Sequence, residues 1–419
     1  MRIELITTGD ELVSGQIVDT NSPWLMDRLF ALGEQVARKV AVGDDLDEIV
    51  AALREAAARA DLVLVSGGLG PTLDDLSVDA AATAFGREVV VDPAQLERLR
   101  TIFSRLGREL TPNNERQARV PAGAEVLGND FGTATAFVLQ EGRTSLWFLP
   151  GVPRELKGLC EKHLFPRLRE AHERAGIHRC YRAVKCYGIP ESHMDQAVRP
   201  LLARHPHVRY GTRTSFPENH VKLLAEGATP EEARERCEAL EREVREALGP
   251  VVYGGADDTF PGATLAAIRQ RGWKVCFAES LTAGAAAALL ADAPGASEVL
   301  LGSSVVYHPS LKERWLGVPA EVLEREGAVS EACARAMAEG ALRASGADVA
   351  VSLTGYAGPG PGPEGLPAGT VFAAIAGGGP TRVWKRNFPF DRAQVRRGAA
   401  FLALELIRRR ALGLERERA

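Results

Sequence analysis

Two places in this 419-residue chain gather chemically active side chains where the pattern passes from strand to helix. The first is a pair of loops near the amino terminus. One reads Gly9-Asp10-Glu11 and continues to Asp19-Thr20-Asn21; the other reads Gly67-Gly68-Leu69-Gly70-Pro71-Thr72, followed by Asp74 and Asp75. Glycines let backbone N–H groups approach an anion closely, and the start of the next helix adds its dipole. Carboxylates beside such a cradle repel a phosphate unless a divalent cation sits between them, so Asp10, Glu11, Asp74 and Asp75 point to a metal-bridged phosphate or diphosphate. Taken singly, each feature has a plainer account: Asp74 and Asp75 complement a helix dipole, and Gly67 to Gly70 make a tight turn. Asn21, Asn113, Asn114 and Gln117 could hydrogen-bond a sugar or a base, although asparagines beside Pro112 are also ordinary turn residues.

The second place is Glu279-Ser280-Leu281-Thr282-Ala283-Gly284, where a short apolar run gives way to an alanine-rich stretch. A serine at a strand-to-helix turn is presented beside free N–H groups able to stabilise an oxyanion, which makes Ser280 a candidate nucleophile. Capping the helix is the alternative, and from the local sequence the simpler one. A nucleophilic serine needs a base, and the one histidine here in an evident catalytic setting is His308, beside Tyr307; the alternative is a lysine. Lys312, one of three lysines from residue 255 onward, follows Tyr307 by five residues. Burial would lower its pKa enough for that role, the alternative being a solvated helix residue beside Glu313 and Arg314. Thr354-Gly355-Tyr356-Ala357-Gly358 reads as a glycine-rich strand end with backbone donors for a ligand. Ser297, Arg392 and Arg396 are candidates for holding a phosphate; the two arginines lie four apart on a helix, where a solvated face is the competing account.

Positioning these groups requires α/β architecture. Ile3 to Thr7 and Leu62 to Val65 are short apolar runs separated by helical patterns, which argues for a parallel sheet. Asp92, Pro93 and Gln95 supply a cap, a first-turn proline and a capping-box partner for a helix ending at Gly107. Thr144 to Leu149 is a further strand running into Pro150-Gly151-Val152-Pro153. A strand at Tyr181 to Tyr187 and a capped helix from Thr229 to Leu248 suggest a small α+β unit, followed by a linker at Gly254 to Asp258. Beyond it, strands are expected near Lys274 to Ala278, Val305 to Tyr307, Asp348 to Leu353 and Gly369 to Ala376.

Hydrophobic residues at 45%, charged residues at 25% and a formal charge of -4 fit a globular chain and provide no basic field for nucleic acid. The six cysteines form no C-x-x-C pair, so neither a zinc knuckle nor a redox dithiol is expected. The amino terminus lacks a signal peptide's apolar stretch and no run is long enough for a spanning helix, so a cytoplasmic protein without membrane partners is expected.

The segments GDELVSGQIVDTN, SGGLGPTLDD, NNERQARVPAGAEVLGNDFGTA and LPGVPREL resemble, in this order, signature segments of the CinA family (competence/damage-inducible protein A). That family's first domain is similar to the molybdopterin-binding, MoCF-like domains of molybdenum-cofactor biosynthesis. The resemblance implies a metal-dependent ADP-ribose pyrophosphatase releasing AMP and ribose 5-phosphate. Its expected nucleotide-binding residues are Gly9, Asn21, Gly67, Gly68, Gly70, Thr72 and Asn113. Its divalent cation, Mg, Mn or Co, would sit at Asp10, Asp74 and Asp75, with ligand and base not separately assigned. Residues 132 to 137 depart from the family in lacking the Pro-Gly that commonly follows Gly-Thr-Ala. GIPES after Tyr187 resembles the family's KH-like middle region, yet no G-x-x-G loop for nucleic acid is present, so a spacing role is expected.

ESLTAG, PGASEVL, VVYHPSLKERWLGV, GAVSEACARAMAEGA, TGYAGPGPGPEGLPAGTV and FPFDRAQVRRGAA resemble the CinA carboxy-terminal domain, whose ESCTGG has Leu281 and Ala283 substituted here. This implies deamidation of nicotinamide mononucleotide without a cofactor. In that scheme Ser280 is the nucleophile, Lys312 its base and Tyr307 an orienting or relaying group, and Thr282, Gly284, Ser297, Thr354, Gly355, Arg392 and Arg396 contact substrate. The expected organisation is two three-layer α/β domains with mainly parallel sheets, residues 1–170 and 255–419, joined by a KH-like α+β domain over 171–254. Homodimerisation is implied by family analogy. Competing readings keep the first domain as a molybdopterin- or nucleotide-binding module without turnover, or make the chain a competence or DNA-damage adaptor.

Overall fold

In the computed structural model of the chain, residues 1–360, 362 and 365–414 are described; Pro361, Pro363 and Glu364, within the TGYAGPGPGPEGLPAGTV run, lie outside them. Strands β1 (Ile3–Thr8), β2 (Val36–Val42) and β3 (Leu62–Ser66) precede a separate ribbon of β4 (Val89–Val91) with β5 (Arg119–Pro121). Strands β6 (Glu125–Leu127), β7 (Ala136–Glu141) and β8 (Thr144–Leu149) complete a six-stranded sheet of order β2-β1-β3-β8-β7-β6. Its first four strands are parallel and β7 and β6 run antiparallel to their neighbours. The period of two sends Ile3 and Leu5 to one face, with Leu25 and Leu29 of the helix Asn21–Ala31, and Ile6 to the other, with Ile49 and Leu53 of Leu46–Ala57. Two apolar cores on opposite faces make the three layers. Phe137 and Phe148 pair across β7 and β8 and stack at 4.5 Å.

A second sheet has the order β10-β11-β9-β12, from β9 (His178–Tyr187), β10 (Val208–Ser215), β11 (Glu218–Gly227) and β12 (Val252–Gly254). The third contains β13 (Val275–Glu279), β14 (Leu300–Val305), β15 (Val349–Gly355), β16 (Thr370–Ala376) and β17 (Arg382–Asn387) in the order β14-β13-β15-β16-β17. Its three leading strands are parallel; β16 and β17 return antiparallel. Helices again cover both faces, Phe260–Arg271, Ala285–Ala291 and Arg392–Ala411 on one and Pro309–Leu316 and Glu331–Ser345 on the other.

The chain divides into two compact units, Met1–Tyr181 with Leu224–Cys237, and Arg182–Leu223 with Glu238–Ala419. Within the second unit the ring of Tyr187 of β9 packs against Phe260, centroids 4.8 Å apart and planes tilted by 33°, and Lys185 Nζ donates to Asp258 O at 2.6 Å. The expected linker is therefore tied down on both sides rather than a free tether. The strand expected at Val305 to Tyr307 lies instead at Leu300–Val305, because its Gly302-Ser303-Ser304 stretch carries no apolar signature. Among the described residues no helix is long and apolar enough to cross a membrane.

Candidate active sites

The carboxyl ends of β1, β3 and β8 open into a cavity of about 490 Å³, all of it within the first unit. Gly9, Asn21, Gly67, Gly68, Gly70, Asp74 and Asp75 line it, together with Glu11, Asp19, Asp44, Gln117 and Glu155. Asn113 is exposed in the short helix Pro112–Glu115, outside the cavity, and Thr72 is exposed and bonded to Asp75. Glycine is obligatory at the bend after β3: φ is +116° at Gly67 and +66° at Gly68, and a Cβ on Gly68 would lie 2.4 Å from Ser77 Oγ.

Asp75 accepts the Gly70 and Thr72 N–H groups at 2.7 and 2.8 Å, closing its own loop instead of offering a free carboxylate. Asp10 does not line the cavity; it exchanges backbone-to-carboxylate bonds of 3.0 Å with Asp44, a residue the sequence reading did not single out. Burial, and then the like charges of Asp10, Glu11 and Asp74, push the Asp44 carboxyl above its ordinary range. Among the described residues no lysine or arginine lines the cavity. Its walls also hold four buried polar atoms without partners among the described residues: Thr7 Oγ1, Thr8 Oγ1, Asn21 Oδ1 and Gln117 Oε1. Unpaired buried acceptors cost about 1–3 kcal/mol each, so their clustering at one cavity marks a place for a ligand with donors. No three His, Cys, Asp or Glu side chains among the described residues stand in ready-made coordinating geometry. The donor set nonetheless suits a hard divalent cation, since Glu11, Asp44 and Asp74, mutually repelling carboxylates, line the cavity with Asp10 bonded beside them.

In the second unit, Ser280 follows β13, is 9% exposed, and is pinned by its N–H to Leu353 O at 2.9 Å. Glu279 pairs with Leu353 in the parallel register, so Ser280 and Thr354 occupy adjacent positions at the ends of β13 and β15. Lys312 comes from the helix Pro309–Leu316, started by His308 as cap and Pro309 and stopped at Gly317. Lys312 and Leu316, one turn apart, face inward together. The lysine is 1% exposed, and among the described residues Nζ has hydrogen-bond partners in Thr354 Oγ1 and Met337 Sδ alone, each at 3.5 Å. Burial without a carboxylate partner drops its pKa to about 8. Among the described residues no hydrogen bond joins Lys312 to Ser280, and Thr354 Oγ1 itself donates to Ala328 O at 2.7 Å.

Glu279, which the sequence reading passed over, is fully buried; its carboxylate accepts N–H groups of Gly284, Ala286 and Ala287 and the Ser303 hydroxyl. A buried acid next to a candidate nucleophile is a signal sequence could have offered. Tyr307 is 54% exposed and accepts a 3.0 Å bond from Arg392, whose other nitrogen donates to Gly358 O at 2.8 Å. Arg396 donates to Leu281 O at 3.1 Å and Thr282 O at 2.9 Å, so its guanidinium grips the nucleophile loop. Gly355 passes so near Thr370 O that a Cβ would lie 2.4 Å from it. Ser297 is not brought to this site. It sits on the exposed turn entering β14, and since Val275 pairs with Leu300 and Glu279 with Val305, the length of β13, roughly 15 Å, separates it from Ser280.

Ala283 is the one non-glycine residue with positive φ, +50°, among the described residues. The left-handed region costs an L-residue about 1–2 kcal/mol, against about 0.5–1 kcal/mol of extra chain entropy lost by glycine. Ala283→Gly is therefore expected to raise unfolding stability by about 0.5–1 kcal/mol in a denaturant titration; a loss of stability would contradict strain at this turn.

Residues 4–170 match the family model described as a probable molybdopterin binding domain, 181–254 the damage-inducible protein CinA KH domain, and 258–411 the CinA C-terminal domain. A CinA-like protein of Anaeromyxobacter dehalogenans is 46% identical over 414 residues, 97% of this chain and 99% of that protein. A CinA-like protein of Myxococcus xanthus is 44% identical over 415 residues, 98% and 99% of the two chains. The crystal structure of the protein CinA with unknown function from Thermoplasma acidophilum is 34% identical, covers 42% of this chain and 96% of its own, and gives a TM-score of 0.36. With both glycine-loop and serine-loop sites in place and whole-length relatives above 40% identity, the chain belongs to the CinA family.

Proposed function

We propose that the chain is a bifunctional nucleotide hydrolase, with residues 255–419 deamidating nicotinamide mononucleotide and residues 1–170 cleaving ADP-ribose. The observation that carries the first half is Lys312: an amine 1% exposed, without a carboxylate partner among the described residues and half deprotonated near pH 8, beside the strand end that presents a serine. A buried lysine without an acid destabilises the fold and is explained by its use as a base.

In this reading Lys312 takes the Ser280 proton as Oγ adds to the carboxamide carbon. Collapse of the tetrahedral adduct breaks the C–N bond, and Lys312 returns the proton to the departing ammonia. Water, deprotonated in turn by Lys312, then hydrolyses the acyl-serine to nicotinate mononucleotide. Tyr307, half-exposed and bound to Arg392, orients substrate at the mouth of the site and lies apart from the buried proton transfer.

In the first domain, Asn21 Oδ1, Gln117 Oε1 and the Thr7 and Thr8 hydroxyls take up hydroxyl or amine donors of a nucleotide, and Gly67 to Gly70 bring the backbone against its diphosphate. A divalent cation there would be held by Glu11, Asp44 and Asp74, with Asp10 bonded to Asp44 beside them, and would supply charge neutralisation and a more acidic bound water. Purified protein is expected to release ammonia from nicotinamide mononucleotide, and to form AMP from ADP-ribose with Mg, Mn or Co but not with chelator. Absence of ammonia would defeat the deamidase reading; absence of AMP under every cation would leave the first domain a binding module.

A further inference from the structure

We infer that the N–H groups of Leu281 and Thr282 are the oxyanion-binding donors of the Ser280 site, and that Arg396 is the residue that positions them. The inference rests on Ser280 as nucleophile and comes from accounting for every backbone donor in the loop. Ser280 N–H is spent on Leu353 O, Ala283 N–H on Ser280 O and Ala285 N–H on Thr282 O. The N–H groups of Gly284, Ala286 and Ala287 all go to the Glu279 carboxylate, at 2.9, 3.0 and 3.1 Å. The start of the following helix is thereby closed to a ligand. Leu281 and Thr282 remain, their N–H groups without an acceptor among the described residues although the two residues are 4% and 0% exposed. Thr282 Oγ1 is also buried and unpartnered. Buried N–H groups are nearly always paired, and two consecutive orphans beside a serine fit a site where negative charge appears only during reaction.

Their directions are held from behind. In a trans peptide the carbonyl and the N–H point opposite ways, so fixing one fixes the other. The Ser280 carbonyl, in the peptide that carries Leu281 N–H, is held by Ala283 N–H at 3.1 Å. The Leu281 carbonyl, in the peptide that carries Thr282 N–H, is held by Arg396 Nε at 3.1 Å, while Nη2 holds the next carbonyl at 2.9 Å. A guanidinium on the carbonyl also polarises the peptide and strengthens its N–H as a donor. Arg396 thus acts through the loop rather than on a substrate phosphate.

A fluorophosphonate tests this without relying on the natural substrate. Ser280 Oγ forms a bond to phosphorus as the P–F bond breaks, fluoride leaves, and the serine proton passes to Lys312. The expected results are labelling of Ser280 in the full-length protein by intact mass and peptide mapping, slowed about 10- to 100-fold in Arg396→Ala and less in Arg396→Lys. For nicotinamide mononucleotide the same variants should lower kcat with KM nearly unchanged, and the affinity for nicotinate mononucleotide should hold. A crystal of the labelled wild-type protein should place the phosphoryl oxygen about 3 Å from Leu281 N and Thr282 N, which keeps the test independent of how either variant folds. Wild-type labelling rates in the variants with weakened nucleotide binding would overturn the inference in favour of a phosphate grip, as would an oxygen seated on other donors. A wild-type Ser280 that never labels would overturn the nucleophile itself.

Discussion

Lys312→Met is expected to abolish ammonia release from nicotinamide mononucleotide while making the protein more stable at pH 7. General-base catalysis contributes about 10²- to 10⁴-fold, so activity should fall at least a thousandfold once nucleophile activation is lost with it. The stability gain follows from linkage. The side chain sits among Leu316, Met337, Cys333 and Thr354, with no carboxylate, and its pKa falls from 10.5 to about 8. Below about pH 8 both folded and unfolded states carry the proton, and the folded state bears the full cost of a buried ammonium. At 1.36 kcal/mol per pH unit that cost is about 3 kcal/mol. From about pH 8 to 10.5 the unfolded chain binds the proton more tightly than the folded one, so wild-type stability rises with pH across that window. Methionine nearly matches the lysine stem and strands no polar partner, because Thr354 Oγ1 keeps its bond to Ala328 O. Denaturation at pH 7 should show Lys312→Met more stable by about 1–3 kcal/mol, with the wild type closing the gap towards pH 10. Wild-type kcat/KM should rise to a plateau with an inflection near pH 8. A variant that loses both activity and stability would mean that the lysine is structural.

How far these sites were legible in the sequence depends on the distance over which each was built. Ser280 and the glycine bend after β3 announce themselves locally, because a strand-to-helix turn needs small residues and positive φ. Lys312 is visible as a rare lysine, but its burial depends on Met337 and Cys333 of another helix, contacts that no spacing encodes. Arg396 illustrates the limit: a cation four residues from another on a helix suggests phosphate, whereas its two carbonyl partners lie 115 and 114 residues earlier in the chain. Asp44 stayed hidden because the strand end that carries it is an unremarkable Val42-Gly43-Asp44, and only the fold of β2 beside β1 sets it against Asp10. Ser297 differs in the opposite direction: a hydroxyl offered as a phosphate partner is put by the parallel register of β13 and β14 at the other end of the sheet from Ser280. Strand β17, Arg-Val-Trp-Lys-Arg-Asn, went unread because an edge strand carries charges where a central strand carries apolar residues.

Ser280→Ala should reduce ammonia release from nicotinamide mononucleotide to the uncatalysed background, a fall of at least about 10³-fold, with little change in stability. The structure separates these two effects. The residue's position is held by its backbone N–H on Leu353 O and its carbonyl on Ala283 N–H, both of which alanine retains. The hydroxyl oxygen holds no bond to the described residues, so its removal orphans no partner and leaves a void of one oxygen atom. Glu279 continues to close the helix start through three bonds that do not involve Ser280, and keeps a fourth to the Ser303 hydroxyl. An unfolding free energy within about 0.5 kcal/mol of wild type is the expected control, because the buried hydroxyl that is lost has no partner to strand. Cleavage of ADP-ribose by the same preparation is a second control, since its cavity belongs to the other compact unit. The comparison also decides the chemistry. A water attacking the carboxamide directly, with Lys312 as its base, would survive loss of the hydroxyl with a modest penalty. An acyl-serine route would not, and in wild type it should let added hydroxylamine divert product to the hydroxamate. Ammonia release retained within tenfold in Ser280→Ala, together with no hydroxamate from wild type, would sink covalent catalysis while leaving Lys312 as a base.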